Sequence, residues 1–158
     1  MALRNIVLHG DEILRKRCRE VTEVDDRIRT ILDDMVETMR ELNGIGLAAP
    51  QIGIMRRMFV IEPEDGEVLE FINPEVIELQ GTQTSEEGCL SVPGFIGVME
   101  RPEFIKVEAL DRHGEKVIHE ATGLKAVVIS HELDHLEGVL YTDTAQNLRE
   151  NPPETEEL

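Results

Sequence analysis

Five residues, His131-Glu132-Leu133-Asp134-His135, restrict this chain more than any other stretch. They read H-E-x-x-H. Four residues along an α-helix turn through about 400°, so the two imidazoles return to nearly one face, a turn apart. Two imidazoles so placed can grip one transition-metal ion, and Glu132 stands beside them to handle a proton from water at that ion. A catalytic site of this kind ordinarily has three protein ligands and one open position, so a third ligand is expected elsewhere in the chain. Taken alone, the pattern also fits two surface histidines on a helix whose acids make ordinary pairs along it.

The rest of the chain gives that helix a setting. Its 158 residues suit one domain, 1–147, with 148–158 as an acidic tail. Apolar residues make up 41% and aromatics only 3%, so the core must be mainly aliphatic. There is no apolar run of membrane-spanning length and no signal-like N-terminal block, which places the expectation in the cytoplasm, away from membranes. The formal net charge of −17 argues against direct nucleic-acid binding through bulk charge. In a reducing cytosol the two cysteines, Cys18 and Cys89, need not pair, so each is a free thiol or a metal ligand.

Apolar residues at three- and four-residue steps, from Ile28 to Leu42, predict a helix from Asp25 or Asp26 to Asn43. About two helical turns are expected over Asp11–Arg17. Met58–Ile61 and 68–73 read as strands around an Asp65-Gly66 turn, and Asn73-Pro74 as a second turn before a strand at 75–79. Residues 81–87 read as a polar connection, and 104–111 and 116–120 as further strands. His9, His113 and His119 read as ordinary surface residues. Thr122 or Gly123 opens the helix that carries the two histidines, and Glu137-Gly138 closes it.

Cys89 is the best candidate for the third ligand: its thiolate with two imidazoles suits Zn²⁺ or Fe²⁺. It sits in Glu87-Gly88-Cys89-Leu90-Ser91. That stretch, Gly44-Ile45-Gly46-Leu47-Ala48-Ala49-Pro50-Gln51 and the H-E-x-x-H pattern together resemble the three signature motifs of the peptide deformylases, in the same order and at similar separations. The resemblance spans roughly residues 5 to 145.

It implies an α+β fold, with antiparallel β-sheets wrapped around a central metal-binding helix. It implies hydrolysis of the formyl group from N-formylmethionyl nascent chains at the ribosome, with release of formate. One divalent ion per chain is implied, Fe²⁺ in the native enzyme, with Zn²⁺, Ni²⁺ or Co²⁺ able to substitute. Carried over by residue, Cys89, His131 and His135 bind the metal, Glu132 is the general acid/base, and Gln51 with the backbone N–H of Leu90 holds the oxyanion. Gly44, Ile45 and Gly46 would receive the peptide as an added strand, and Ile45, Val128 and Ile129 would wall the methionine pocket. Glu87 and Gly88 complete the expected substrate contacts, and Glu87 is also a candidate to orient backbone or a ligand. Asp134 is expected to orient a partner such as Arg101.

Three departures accompany the resemblance. Ile96 stands where several relatives carry Arg, and Ser130 where many carry Gln. The C-terminal tail is acidic, so docking on ribosomal RNA is not expected. Two other readings remain: a metallopeptidase of the H-E-x-x-H kind, whose third ligand ordinarily lies downstream rather than upstream like Cys89, and a non-catalytic protein that keeps the metal site.

Overall fold

Asp25 starts the first helix, α1 (Asp26–Glu41), by accepting a hydrogen bond from the Ile28 N–H on its side chain. Asn43 ends it in the left-handed region at φ 57°, and the Gly44 N–H returns to the Met39 carbonyl. The apolar stripe of Ile28, Ile31, Leu32, Met35 and Met39 is buried against β1 (Gly46–Ala48) and β2 (Met58–Ile61). Each such side chain taken fully from water stabilises the fold by roughly 1.5–3 kcal/mol. The computed structural model describes residues 2–150.

β2 continues through the Gly66 turn into β3 (Leu69–Gln80). The turn expected at Asn73-Pro74 is instead a kink within this one strand. Asn73 takes φ 50°, and its side-chain amide both donates to the Val21 carbonyl and accepts from the Val21 N–H. The polar connection expected at 81–87 is also a strand. β4 (Gln83–Cys89) and β5 (Val92–Arg101) form an antiparallel hairpin, which β6 (Phe104–Leu110) and β7 (Lys116–Thr122) follow. The second helix, α2 (Gly123–Leu136), starts at Thr122 as expected, and β8 (Gln146–Glu150) lies last. Residues 148–150, expected to open the acidic tail, belong to β8 and its pairing with β5; residues 151–158 lie outside those described. The two helical turns expected over 11–17 shrink to a single 3-10 turn, Glu12–Arg15.

The fold class is the expected α+β. One antiparallel sheet has the order β1-β2-β3-β6-β7, the other β4-β5-β8. α2 packs on strands of both and is enclosed nearly all round. Its C-terminal end needs a glycine: Gly138 has φ 76°, and a Cβ there would lie 2.5 Å from the Arg15 carbonyl. No described helix is long and apolar enough to cross a membrane.

Candidate metal centre

Burial of α2 from Ala126 to Glu132 carries its polar residues inward with its aliphatic ones. His131, Glu132 and His135 are enclosed beside Val127, Val128 and Ile129. The two imidazole rings stand one turn apart, with centroids 5.1 Å from each other. Cys89 reaches them from the end of β4, just before the Leu90-Ser91 turn that reverses the chain into β5. One ligand atom each from Cys89, His131 and His135 lies within 4.8 Å of the others, all three residues being buried. Cys89 Sγ is 3.4 Å from His135 Nε2.

The ligand orientations are set from behind. His131 Nδ1 is 2.9 Å from Glu87 Oε1; an ionised carboxylate only accepts, so Nδ1 carries the proton and Nε2 offers its lone pair. Nε2 has no hydrogen-bond partner, as expected of a nitrogen reserved for a cation. Glu87 is clamped by Arg101 through a two-pronged contact, Nε to Oε2 at 2.8 Å and Nη2 to Oε1 at 2.7 Å. Arg101 Nη1 reaches Asp134 at 2.7 Å, the pairing expected from the sequence.

The charges of this pocket favour a cation. Burial disfavours an imidazolium at His131, but Cys89 and Glu87 outweigh it and lift its pKa to about 10. Burial, with His131 beside it, pushes His135 well below its ordinary value. A cation is thus favoured among these groups, and the Cys89 sulfur with two imidazoles makes a donor set that fits a divalent transition metal.

Glu132 is fully buried, and neither of its carboxylate oxygens has a hydrogen-bond partner. Burial raises it to about 7, where it can both take and give a proton near neutrality. Its space is made by Gly46: a Cβ there would sit 2.5 Å from Glu132 Oε2 and 3.1 Å from Val128. Gln51 lies on the 3-10 turn Ala49–Ile52, with its Oε1 accepting from the Ala48 N–H at 2.9 Å. Its Nε2 therefore points the other way, to Cys89 Sγ at 3.5 Å and Ser91 Oγ at 3.1 Å.

The sequence profile of the family described as Polypeptide deformylase matches residues 3–151. The chain belongs to this family. It is 53% identical over 143 residues to the peptide deformylase of Acetivibrio thermocellus, covering 90% of this chain and 84% of that one. It is 51% identical to peptide deformylase 1 of Clostridium perfringens, covering 90% and 98%. The crystal structure of the Thermotoga maritima peptide deformylase superposes with a TM-score of 0.87 at 43% identity, covering 89% of this chain and 96% of that one. Membership in the deformylase family stands over both other readings drawn from the sequence.

Against the deformylase motifs, the structure brings Cys89, His131, His135, Glu132 and Gln51 into one enclosed cluster, with Leu90 in the adjoining turn. Gly44, Ile45 and Gly46 lead into β1, an outer strand of its sheet. Val128 and Ile129 are both packed in the main core, Val128 beside Glu132. Of the two roles expected for Glu87, its contacts fit the orienting of a ligand and leave no oxygen free for substrate: its oxygens are occupied by Arg101, His131 and Ser85. Gly88, next to it, is buried in β4. Among the non-ligand histidines, His119 is half-buried rather than on the surface, its ring 4.2 Å from that of Phe71.

Sequence reasoning missed three contributors. Ser91 orients the Gln51 amide; its place inside the second motif was the available signal. The Glu87–Arg101 clamp joins residues on facing strands, and no local pattern reports that. The N-terminal segment holds both motifs by backbone bonds, Val7 N–H to the Gln51 carbonyl and His9 N–H to the Ser91 carbonyl, each 2.7 Å.

Proposed function

We propose that this chain hydrolyses the formyl group from N-formylmethionyl peptides and releases formate. The observation that carries the reading is the enclosed Cys89–His131–His135 triangle with the unpartnered Glu132 carboxylate beside it. These three ligands would hold one divalent ion, Fe²⁺ in the native protein, with Zn²⁺, Ni²⁺ or Co²⁺ able to replace it. When bound, the ion supplies Lewis acidity to water and to the formyl carbonyl.

The chain's own residues do the rest. Glu132 accepts a proton from the attacking water and returns it to the amine nitrogen as the C–N bond breaks. Gln51 Nε2 and the Leu90 N–H donate to the oxygen that becomes negative; both are neutral, so neither competes for the cation's place. The peptide adds as a strand along Gly44–Gly46 at the outer edge of the first sheet, with its methionine against Ile45 and Val128. The closeness of Gly46 to Glu132 favours formyl, the smallest acyl group. The substrates are nascent chains at the ribosome, in the cytoplasm.

The test is formate release from formyl-Met-Ala-Ser by nickel-loaded protein. Wild type should turn over, and Glu132→Gln should lose about 10³-fold in kcat at unchanged metal content. No release by wild type with metal bound through Cys89 would leave a non-catalytic metal protein. Cleavage of an internal bond in an unformylated peptide would instead make it a peptidase.

A further inference from the structure

On the face of α2 turned away from the metal lies a groove of about 660 Å³ that the reaction does not use. Leu133 and Ile105 line it, with Val76 and Leu79 from β3. Val76 stands opposite Val107, and Leu79 opposite Ile105. Residues directly opposite each other in an antiparallel pair share a face of the sheet, and Val107 and Ile105 are core residues. The extra residue between Val76 and Glu78 in the register brings 76 and 79 onto that same face. Yet Val76 and Leu79 are 47% and 57% exposed, so this end of the core face is left uncovered.

The adjacent backbone is open as well. β2 pairs with β3 only as far as Ile72, whereas β3 runs on to Gln80 with β6 along one side. Among the described residues no strand lies along its other side. The rim is acidic. Arg57 and Arg101 are already engaged, the first by Glu137 and the second by Glu87 and Asp134. Glu75 and Glu100 have no cationic partner among the described residues, in a chain of net charge −17.

We propose that this groove docks an extended, basic segment of a partner protein. The segment adds to the open edge of β3, sets alternate aliphatic side chains on Val76 and Leu79, and brings lysine or arginine side chains to Glu75 and Glu100. The proposal does not rest on the deformylation reading, since Val76, Leu79, Glu75 and Glu100 lie outside the metal centre.

A fluorescent peptide, acetyl-Lys-Val-Lys-Ile-Lys-Val-Lys-amide, blocked at its amine, tests it by anisotropy with the nickel-loaded full chain. Saturable one-to-one binding is expected, weakened at least ~10-fold by Leu79→Lys and by proline in place of the peptide's isoleucine, and at least ~3-fold by Glu100→Lys. Far-ultraviolet circular dichroism and thermal unfolding of Leu79→Lys and Glu100→Lys, unchanged from wild type, confirm that both variants are folded. Absence of saturable binding up to ~1 mM, or binding indifferent to Leu79→Lys, overturns the proposal. So does wild-type dimerisation that Leu79→Lys abolishes and the peptide does not compete, which assigns the groove to a second copy.

Discussion

The two sides of α2 differ in how they treat polar groups. Toward the metal centre, His131 Nε2 and both oxygens of Glu132 are buried without partners. Toward the groove, Asp134 and Glu137 remain partly exposed and are neutralised by Arg101, Arg57 and Arg17. A buried polar atom left unpaired costs roughly 1–3 kcal/mol, so a cluster of them is retained only where a ligand or a reaction satisfies it. The helix therefore cannot be read as amphipathic in the ordinary sense. Its inner side is polar for chemistry, its outer side for solubility, and Arg101 links the two by reaching from Asp134 to the carboxylate behind His131.

Four measurements would sharpen or break this contrast. The largest effect is expected at Gly46→Ala, where the new methyl would press on Glu132; kcat should fall about 10²-fold with metal content unchanged, whereas an unchanged kcat would show that the carboxylate is free to move. Arg101→Met should come next. It frees Glu87 and loosens His131, so metal affinity measured by chelator competition should fall about 10- to 100-fold. Asp134→Asn, which leaves the Glu87 clamp in place, should lower it less.

The third measurement concerns acid stability. Burial would raise the Glu87 carboxyl, but Arg101 and His131 outweigh it and hold its pKa down to about 2, against an ordinary 4.5. Between these values the folded protein binds fewer protons at this group than the unfolded chain. The stabilisation is thus complete above pH 4.5 and is lost as the pH falls toward 2, by about 3 kcal/mol from this group. Chemical unfolding of metal-free protein across that range should show the slope, and Glu87→Gln should flatten it. The smallest effect belongs to the groove side. Ser130 Oγ is buried without a partner, so Ser130→Ala should change stability by less than about 1 kcal/mol, or raise it, and leave formate release intact. A large loss of activity there would mean that the two sides of α2 are not separate.

Legibility followed the range of the interactions. Both long helices were readable because their caps and periodicity are local: Asp25 and Asn43 bracket α1, and Thr122 and Gly138 bracket α2. β4 was read as a connection because Gln83, Thr84, Ser85 and Glu86 are polar; its pairing with β5 makes it a strand. Asn73-Pro74 carries a turn signature, yet the Val21 backbone holds it as a kink within β3. In the site, Cys89, Gln51 and Glu132 were identifiable from their motifs. Glu87 stays divided in the sequence between substrate contact and ligand orientation because its partners, Arg101 and His131, lie 14 and 44 residues away.

The sequence by itself determined that two imidazoles and a carboxylate share one helix turn, since that follows from 3.6 residues per turn and needs no other part of the chain. It also marked the thiol that would join them. Only the tertiary structure decided that this turn faces a buried interior, that Glu87 fixes which nitrogen of His131 is free, and that Ser91 and the N-terminal segment hold Gln51 and the Cys89 turn in place. Those are contacts between strands and segments far apart in the chain, and they exist only once the sheets have closed around α2.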